Sequence, residues 1–391
     1  MRSDRLLDPI ALFAAGLLAM ALPACSSTGS GRSMSAEQVA AAVETARAEL
    51  AEGHTADALE RLGEAREAQG LPLELESEVE SLLEQAANRR IDELSAGTGG
   101  ASELEDMLDL ELPGPIAVTA GVTGARKRLE GGQPYKAFRL LQKVEQRYPT
   151  HHERRAAGEI CAQAGLTMSQ DKKRFLGFFS DRDEGIEALE WLVVTYPSEP
   201  RGDEAYFRLA ELYAADRDFD LSVRRYEDLV AYHTRSPLSV EAEARIPRMR
   251  LAGLESPEYD RRELLRARSE LEAWIQGHGG SELEQQVRLD YGDCLRRLVL
   301  SDQGIARFYL RIDQPFGARF HAARALETAR LAGDESLSGS SRDLIARADA
   351  LEEALGAGQQ REGFLDRPDA QVKPSEALEV PTTREQGGTQ R

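Results

Sequence analysis

Basic residues are in short supply in this chain: 49 Lys and Arg stand against 68 Asp and Glu in 391 residues, a net charge of -19. Phosphate binding relies on clustered Lys and Arg, so nucleic acid is excluded as a partner. Cysteine is scarcer, with only Cys25, Cys161 and Cys294. Cys161 and Cys294 have no CxxC partner and read as small core residues, a disulfide between them being left open. The six His include His151-His152-Glu153. That run lacks the second His four residues on that a zinc-binding helix requires, and reads as a solvated loop after Pro149. Gly121 to Arg126 (GVTGAR) lacks the Lys-Ser or Lys-Thr that would finish a phosphate loop. The apolar run Ile10 to Leu22 has 13 residues, short of the roughly 20 a spanning helix needs. No catalytic constellation survives, so the chain reads as a non-enzyme without cofactor or metal.

The residues present favour helices. The chain is 41% apolar and carries stretches rich in Ala, Leu, Glu and Arg, which suit an all-α fold. Charge is uneven: Ala36 to Leu112 holds 20 Asp and Glu against 5 Lys and Arg, so this N-terminal region is the acidic part. The clearest pattern runs from Asp203 to Pro237. Tyr206, Leu209, Ala210 and Tyr213 recur at the i, i+3, i+4, i+7 spacing of one helical face. After a turn, Ser222, Tyr226 and Leu229 repeat the pattern, matching the tetratricopeptide signature of two helices in a hairpin. Such a hairpin leaves an apolar face uncovered and needs neighbours, so a helical-hairpin solenoid is expected. Asp216, Asp218, Asp220 and Glu227 fall at positions 1, 3, 5 and 12 of a calcium loop, but Leu221 replaces the Gly of position 6. They read as an acidic turn between helices.

In chain order, residues 36–112 form an acidic helical region. It holds a degenerate repeat with second-helix positions Ala58, Leu62 and Ala65, then a helix from Leu71 to Leu94 and a Gly-rich break at Ser95 to Ser102. Glu74, Glu76, Glu78 and Glu80 read as a solvated face. Residues 113–335 carry the repeats. Ala137, Leu141 and Val144 mark one; Leu189 and Leu192 mark another, with Gly185 in place of Ala. Tyr148-Pro149 and Tyr196-Pro197 lie 48 residues apart, longer than the ~34 of a repeat, so an insertion is placed at Asp171 to Asp183. Val240 to Leu254 and Asp260 to Gly277 form a further pair, with Ala267, Leu271 and Trp274 inside. Gln285 to Leu300 reads as a separate helix, and Asp302 to Leu331 as a last hairpin with Ala306, Tyr309 and Leu310, then Ala322, Leu326 and Arg330. A break follows at Gly333 to Ser341. A capping helix is assigned within 336–356, centred on Arg342 to Leu355, and 357–391 is a polar tail expected to be disordered.

Two stretches carry a resemblance. Residues 1–24 look like a signal peptide ending in Leu22-Pro23-Ala24-Cys25, which resembles the lipobox of bacterial lipoprotein precursors, with Cys25 as the acylated residue and 25–35 as a flexible tether. Ser26 is similar to the residue of lipoproteins sent to the outer membrane, so the expected location is its periplasmic face. From Gly185 onward, the wording Tyr196-Pro197-Ser198-Glu199-Pro200, Ala205 to Tyr213, Phe219 to Leu229, Ser236-Pro237 and Gly304 to Leu310 resembles the BamD family of outer-membrane β-barrel assembly lipoproteins. The resemblance implies a scaffold that binds a barrel-assembly pore protein, and an unfolded outer-membrane protein as substrate, through a tetratricopeptide groove. Arg201, Arg208 and Arg217 are the candidate partner-binding residues, suited to an acidic group or terminal carboxylate. Another tetratricopeptide envelope lipoprotein, scaffolding cell-wall or secretion and pilus machinery, fits the same features up to the Tyr-Pro phrase.

Overall fold

The computed structural model describes residues 34–110, 112–170, 182–254 and 261–356. The stretches expected to be a signal peptide and a tail, Cys25, most of the expected tether and most of the expected insertion at Asp171–Asp183 lie outside the described residues. Among those described, the chain is all-helical, with fifteen helices and no strand. They fall into two compact units, one ending at Arg90 and one beginning at Ile91.

The first unit holds α1 (Ala36–Glu52), α2 (Thr55–Arg66) and most of α3 (Leu73–Ala96). Ser35 opens α1 with a capping box: its Oγ accepts from Gln38 N, while Gln38 Oε1 accepts from Ser35 N at 2.9 Å, satisfying two otherwise orphaned donors. Val39, Val43, Ala58, Leu62, Val79 and Leu83 supply the core. Arg89 of α3 donates to Leu50 O of α1 at 2.8 Å. In the acidic run, Glu78 meets Arg47 and Glu80 meets Arg66, whereas Glu74 and Glu76 are exposed.

The unit boundary falls inside α3 rather than at Leu112. The cause is α4 (Ala101–Asp106), which packs on α5 (Gly114–Glu130) of the second unit. A Cβ at Gly121 would come within 2.5 Å of Val144 Cγ2 and 3.0 Å of Leu108 Cδ2, and one at Gly124 within 3.2 Å of Leu104 Cβ. These two glycines give Leu104 and Leu108 their seat, which is why GVTGAR forms a packed helix face.

The second unit continues with α6 (Pro134–Arg147), α7 (Arg154–Ser169), α8 (Arg182–Thr195), α9 (Gly202–Ala215), α10 (Phe219–Tyr232), α11 (Ser239–Gly253), α12 (Arg261–Gly277), α13 (Glu284–Arg311), α14 (Pro315–Leu331) and α15 (Glu335–Gly356). Each packs on the next in sequence, and odd-numbered helices also meet: α5 with α7, α7 with α9, α11 with α13, α13 with α15.

Two connections recur. In the hairpin turns one residue takes a left-handed φ: Gly53 in the first unit, then Gly132, Arg217 (φ 64), Asp313 (φ 55) and Gly333. The next residue donates its N–H five residues back, as from Gln133 to Arg128 O, Asp218 to Tyr213 O and Asp334 to Ala329 O, closing the helix as a Schellman motif does. Four residues further on stands a small buried side chain: Ala58, Ala137, Ser222, Ala318 or Ser338. There the two helices approach. The loops between hairpins repeat differently. An aromatic residue, Tyr148, Tyr196, His233 or His278, ends the helix by donating its backbone N–H four residues back, and the side chain three residues later accepts a backbone N–H: His151 from Glu153, Glu199 from Arg201, Ser236 from Leu238, Ser281 from Leu283.

Two expectations change near the end. Gln285 to Leu300 and the first helix of the last hairpin are one helix, α13. Ser301, Asp302 and Gln303 look like a polar boundary but are buried, with Asp302 in ion pairs to Arg261 at 2.9 Å and to Arg324. The register of the last hairpin also moves by one turn, because its small residue is Ala318, not Ala322. The buried face of α14 is built from Ala318, Ala322, Ala325 and Ala329, without a large apolar residue to mark the register. The capping helix begins at Glu335, so the break is confined to the turn at Gly333.

Candidate functional site

Helices that pack both on their sequence neighbours and on the next odd-numbered helix place α5, α7 and α9 on one common face. Stacked hairpins use such a face for partners. Just before α9, Arg201 donates to Glu204 Oε2 at 2.7 Å and to Gln163 Oε1 of α7 at 2.7 Å. One turn pair further along, Arg208 reaches Ser169 Oγ at 3.3 Å and its carbonyl oxygen, and Glu211 Oε2 at 3.2 Å. Glu211 in turn meets Arg245 of α11, which also bonds Glu241 and the Tyr226 hydroxyl and lies 4.8 Å over the Phe207 ring. The result is a ladder of alternating charge across α9 and α11, which α7 joins through the neutral Gln163 and Ser169. Arg201 and Arg208 are therefore engaged by carboxylates already. Arg217 sits past the end of α9, exposed in the left-handed turn, about 24 Å from Arg201 by helix rise. The three candidate arginines do not converge on one point.

The signature residues are core. Leu209, Ala210, Tyr226, Leu229, Ala137, Leu141 and Val144 are buried, as are Ser222 and Tyr206, and Tyr206 stacks on Tyr232. Tyr213 is half-buried and donates to Glu190 Oε1 at 2.8 Å; burial, helped by this carboxylate, pushes its pKa up to about 12. Arg225 of α10 grips the same Glu190 with Nε and Nη2 at 2.8 and 2.7 Å, tying α10 to α8.

The acidic turn has other duties than calcium. Asp218 caps α10 by accepting from Leu221 N at 3.1 Å, Asp216 pairs with Arg182 at 2.7 Å, and Glu227 meets Arg250 and Arg266. Cys161 and Cys294 are both free and buried; their thiols point to Ala188 O and Leu264 O in different hairpins, and burial raises both pKa values, that of Cys294 to about 12.

His151 departs from its sequence reading as a solvated loop residue. Its side chain is 2% exposed, with Nε2 3.1 Å from Glu145 Oε1. Burial lowers its pKa against the pull of Glu145. The other Glu145 oxygen takes Arg154 at 2.7 Å, and the Arg154 guanidinium lies 5.1 Å over the Tyr196 ring. Phe138, Trp191 and Tyr196 continue this cluster edge to face, at 5.6 and 5.2 Å. The Tyr196-Pro197 phrase is thus anchored on the preceding hairpin. Sequence reasoning placed His151 in a solvated loop, read Glu199 only as part of the Tyr-Pro phrase and passed over Arg245; the recurrence of an aromatic residue followed three positions later by a capping side chain is the signal that would have found the first two.

No helix among the described residues is long and apolar enough to cross a membrane. No family model and no curated protein matches the chain. Among solved structures, similar ones include a monomeric IFIT1 mutant with Gppp-AAAA, at 16% identity over 81% of this chain and 63% of that one, with a TM-score of 0.25. A designed circular tandem repeat protein is 16% identical, covering 82% of this chain and 79% of its own, with a TM-score of 0.17. The chain spans only 63% of the IFIT1 structure's length. Scores this low carry no argument about the chain beyond the geometry described above.

Proposed function

We propose that this chain is a lipid-anchored, non-catalytic scaffold of outer-membrane β-barrel protein assembly, built from tetratricopeptide-like hairpins and held at the periplasmic face of the outer membrane through Cys25. The observation that carries the reading is the phrase Tyr196-Pro197-Ser198-Glu199-Pro200 leading into α9 and α10 and closing at Ser236-Pro237, the wording that resembles the BamD family. The packing of α5, α7 and α9 on one another supports it, since that arrangement offers a continuous face to a partner. The acidic region of residues 36–112 has no counterpart in the resemblance. It favours, as a second reading, another envelope lipoprotein that scaffolds cell-wall or secretion machinery.

Crosslinking in intact envelopes, followed by identification of the captured proteins, separates the two. Recovery of a barrel-assembly pore protein is the expected outcome. Capture of cell-wall or pilus components alone, repeated after gentle co-purification, overturns the first reading in favour of the second. Replacement of Cys25 by Ser should release the protein from membranes into the soluble fraction.

A further inference from the structure

The loop between α8 and α9 differs from those before α11 and α13 at its capping position. In the loops before α11 and α13 the capping position is Ser236 or Ser281, whose hydroxyl accepts a backbone N–H at 3.0 or 3.1 Å. Before α9 it is Glu199, whose Oε1 makes the same contact with Arg201 N at 3.5 Å. A short hydroxyl caps this loop better than a long carboxylate does, so capping does not explain the Glu.

The rest of the Glu199 side chain borders a cavity of about 480 Å3 lined by Arg154 and Arg155 of α7 and by Tyr196 to Pro200. Glu199 is 6% exposed. Its Oε2 lies over Gly158 of α7, where an added Cβ would stand 2.9 Å away and push the carboxylate aside. Among the described residues, no side chain donates a hydrogen bond to this carboxylate. The nearby cations do not fill the gap. Arg154 is committed to Glu145 and Thr195 O, and Arg201 to Glu204 and Gln163. Arg155 is exposed and has no carboxylate within ion-pair distance among the described residues. Oε1 thus has only the long contact from Arg201 N, and Oε2 has no side-chain donor; a donor supplied by a ligand would add the hydrogen bond that a mostly buried carboxylate favours.

We propose that this cavity is a binding site for a basic side chain of a partner peptide, its guanidinium or ammonium group seated on Glu199 and its aliphatic stem lying along Tyr196 and Pro197. A long basic side chain suits such walls, since its stem is apolar and only its tip needs acceptors. Arg155, at the rim, is placed to meet an acidic residue beside the basic one. Burial raises the Glu199 pKa, consistent with a carboxylate whose partner is missing. The assignment does not rest on the barrel-assembly reading and holds for any partner with this chemistry.

The test is amide-resolved NMR titration of the full chain with acetyl-Gly-Arg-Gly-amide, with the citrulline peptide as its neutral isostere and agmatine as a free guanidinium. The Arg peptide is expected to shift the amides of Gly158, Ser198 and Gly202, and the citrulline peptide to leave them in place. Glu199→Gln should weaken binding about tenfold or more, the loss of one charge-assisted contact. Gly158→Ala, which crowds Oε2 from the other side, should weaken it as well. Equal binding of the citrulline peptide, full affinity in Glu199→Gln, or no shift at all overturns the site. Tighter binding of agmatine than of the peptide overturns the peptide as its occupant.

Discussion

Arg324 of α14 holds Asp302 of α13 with its Nε 3.0 Å from both carboxylate oxygens, and Arg261 of α12 closes on Oδ2 at 2.9 Å. Asp302 is fully buried, and the two arginines come from different helices. Removing the carboxylate leaves two guanidinium groups without their anion. Asp302→Ala should therefore lose about 3 kcal/mol of unfolding free energy in urea titration. A loss under 1 kcal/mol would show that Asp302 does not join these three helices.

Glu199 makes a pH-dependent contribution whose sign follows from its surroundings. Burial raises its pKa above 4.5, and Glu159 adds to this, while the Arg201 N–H and the charges of Arg201 and Arg155 act against it. The folded protein thus holds this proton more tightly than the unfolded chain. The associated stability is complete below the unfolded value and is lost as pH rises through the folded one. Glu199→Gln should be more stable than the parent near pH 7, the difference shrinking toward about pH 4. Urea midpoints of the two proteins across that range measure it, and parallel curves would refute it.

Gly185 and Gly121 are both pressed by neighbours, but by different atoms. A Cβ at Gly185 would meet the α7 backbone, 2.6 Å from Ser169 N and 2.9 Å from Met168 C, whereas at Gly121 it meets the rotatable tips of Val144 and Leu108. Side chains can yield and backbone cannot. Gly185→Ala should cost about 3 kcal/mol and Gly121→Ala about 1 kcal/mol in chemical denaturation. The reverse order would mean that α7 and α8 can slide apart.

Arg217 occupies a left-handed backbone position that Gly53, Gly132 and Gly333 fill in the equivalent turns. Arg217→Gly should raise stability by about 1 kcal/mol, read from thermal unfolding. If Arg217 contacts a partner, the same variant will be more stable yet less efficiently crosslinked. Unchanged crosslinking would remove it from the interface.

The α9–α10 hairpin was legible because its apolar stripe uses large residues, Tyr206, Leu209, Tyr226 and Leu229, at helical spacing, around small Ala210 and Ser222. Where the physics is carried by small or polar residues, the letters mislead. The alanine face of α14 hides its register, and the buried Ser301-Asp302-Gln303 reads as a break until Arg261 and Arg324 are seen to reach it. The seat that Gly121 and Gly124 make for α4, which moves the unit boundary from Leu112 to Arg90, cannot be read from spacing, because glycine advertises flexibility as readily as close packing. Glu199 could be read only as one letter of a phrase. Its oddness appears when it is set beside Ser236 and Ser281.

The loops that begin at Tyr148, Tyr196, His233 and His278 are separated by 48, 37 and 45 residues. The middle interval contains the short turn at Arg217, and the longer two contain the wider connections from α7 to α8 and from α11 to α12. Each of the four loops is six residues long, whereas 12 residues join α7 to α8, three join α9 to α10 and seven join α11 to α12. Chain length can thus change between paired helices while the six-residue loops that join one pair to the next stay the same.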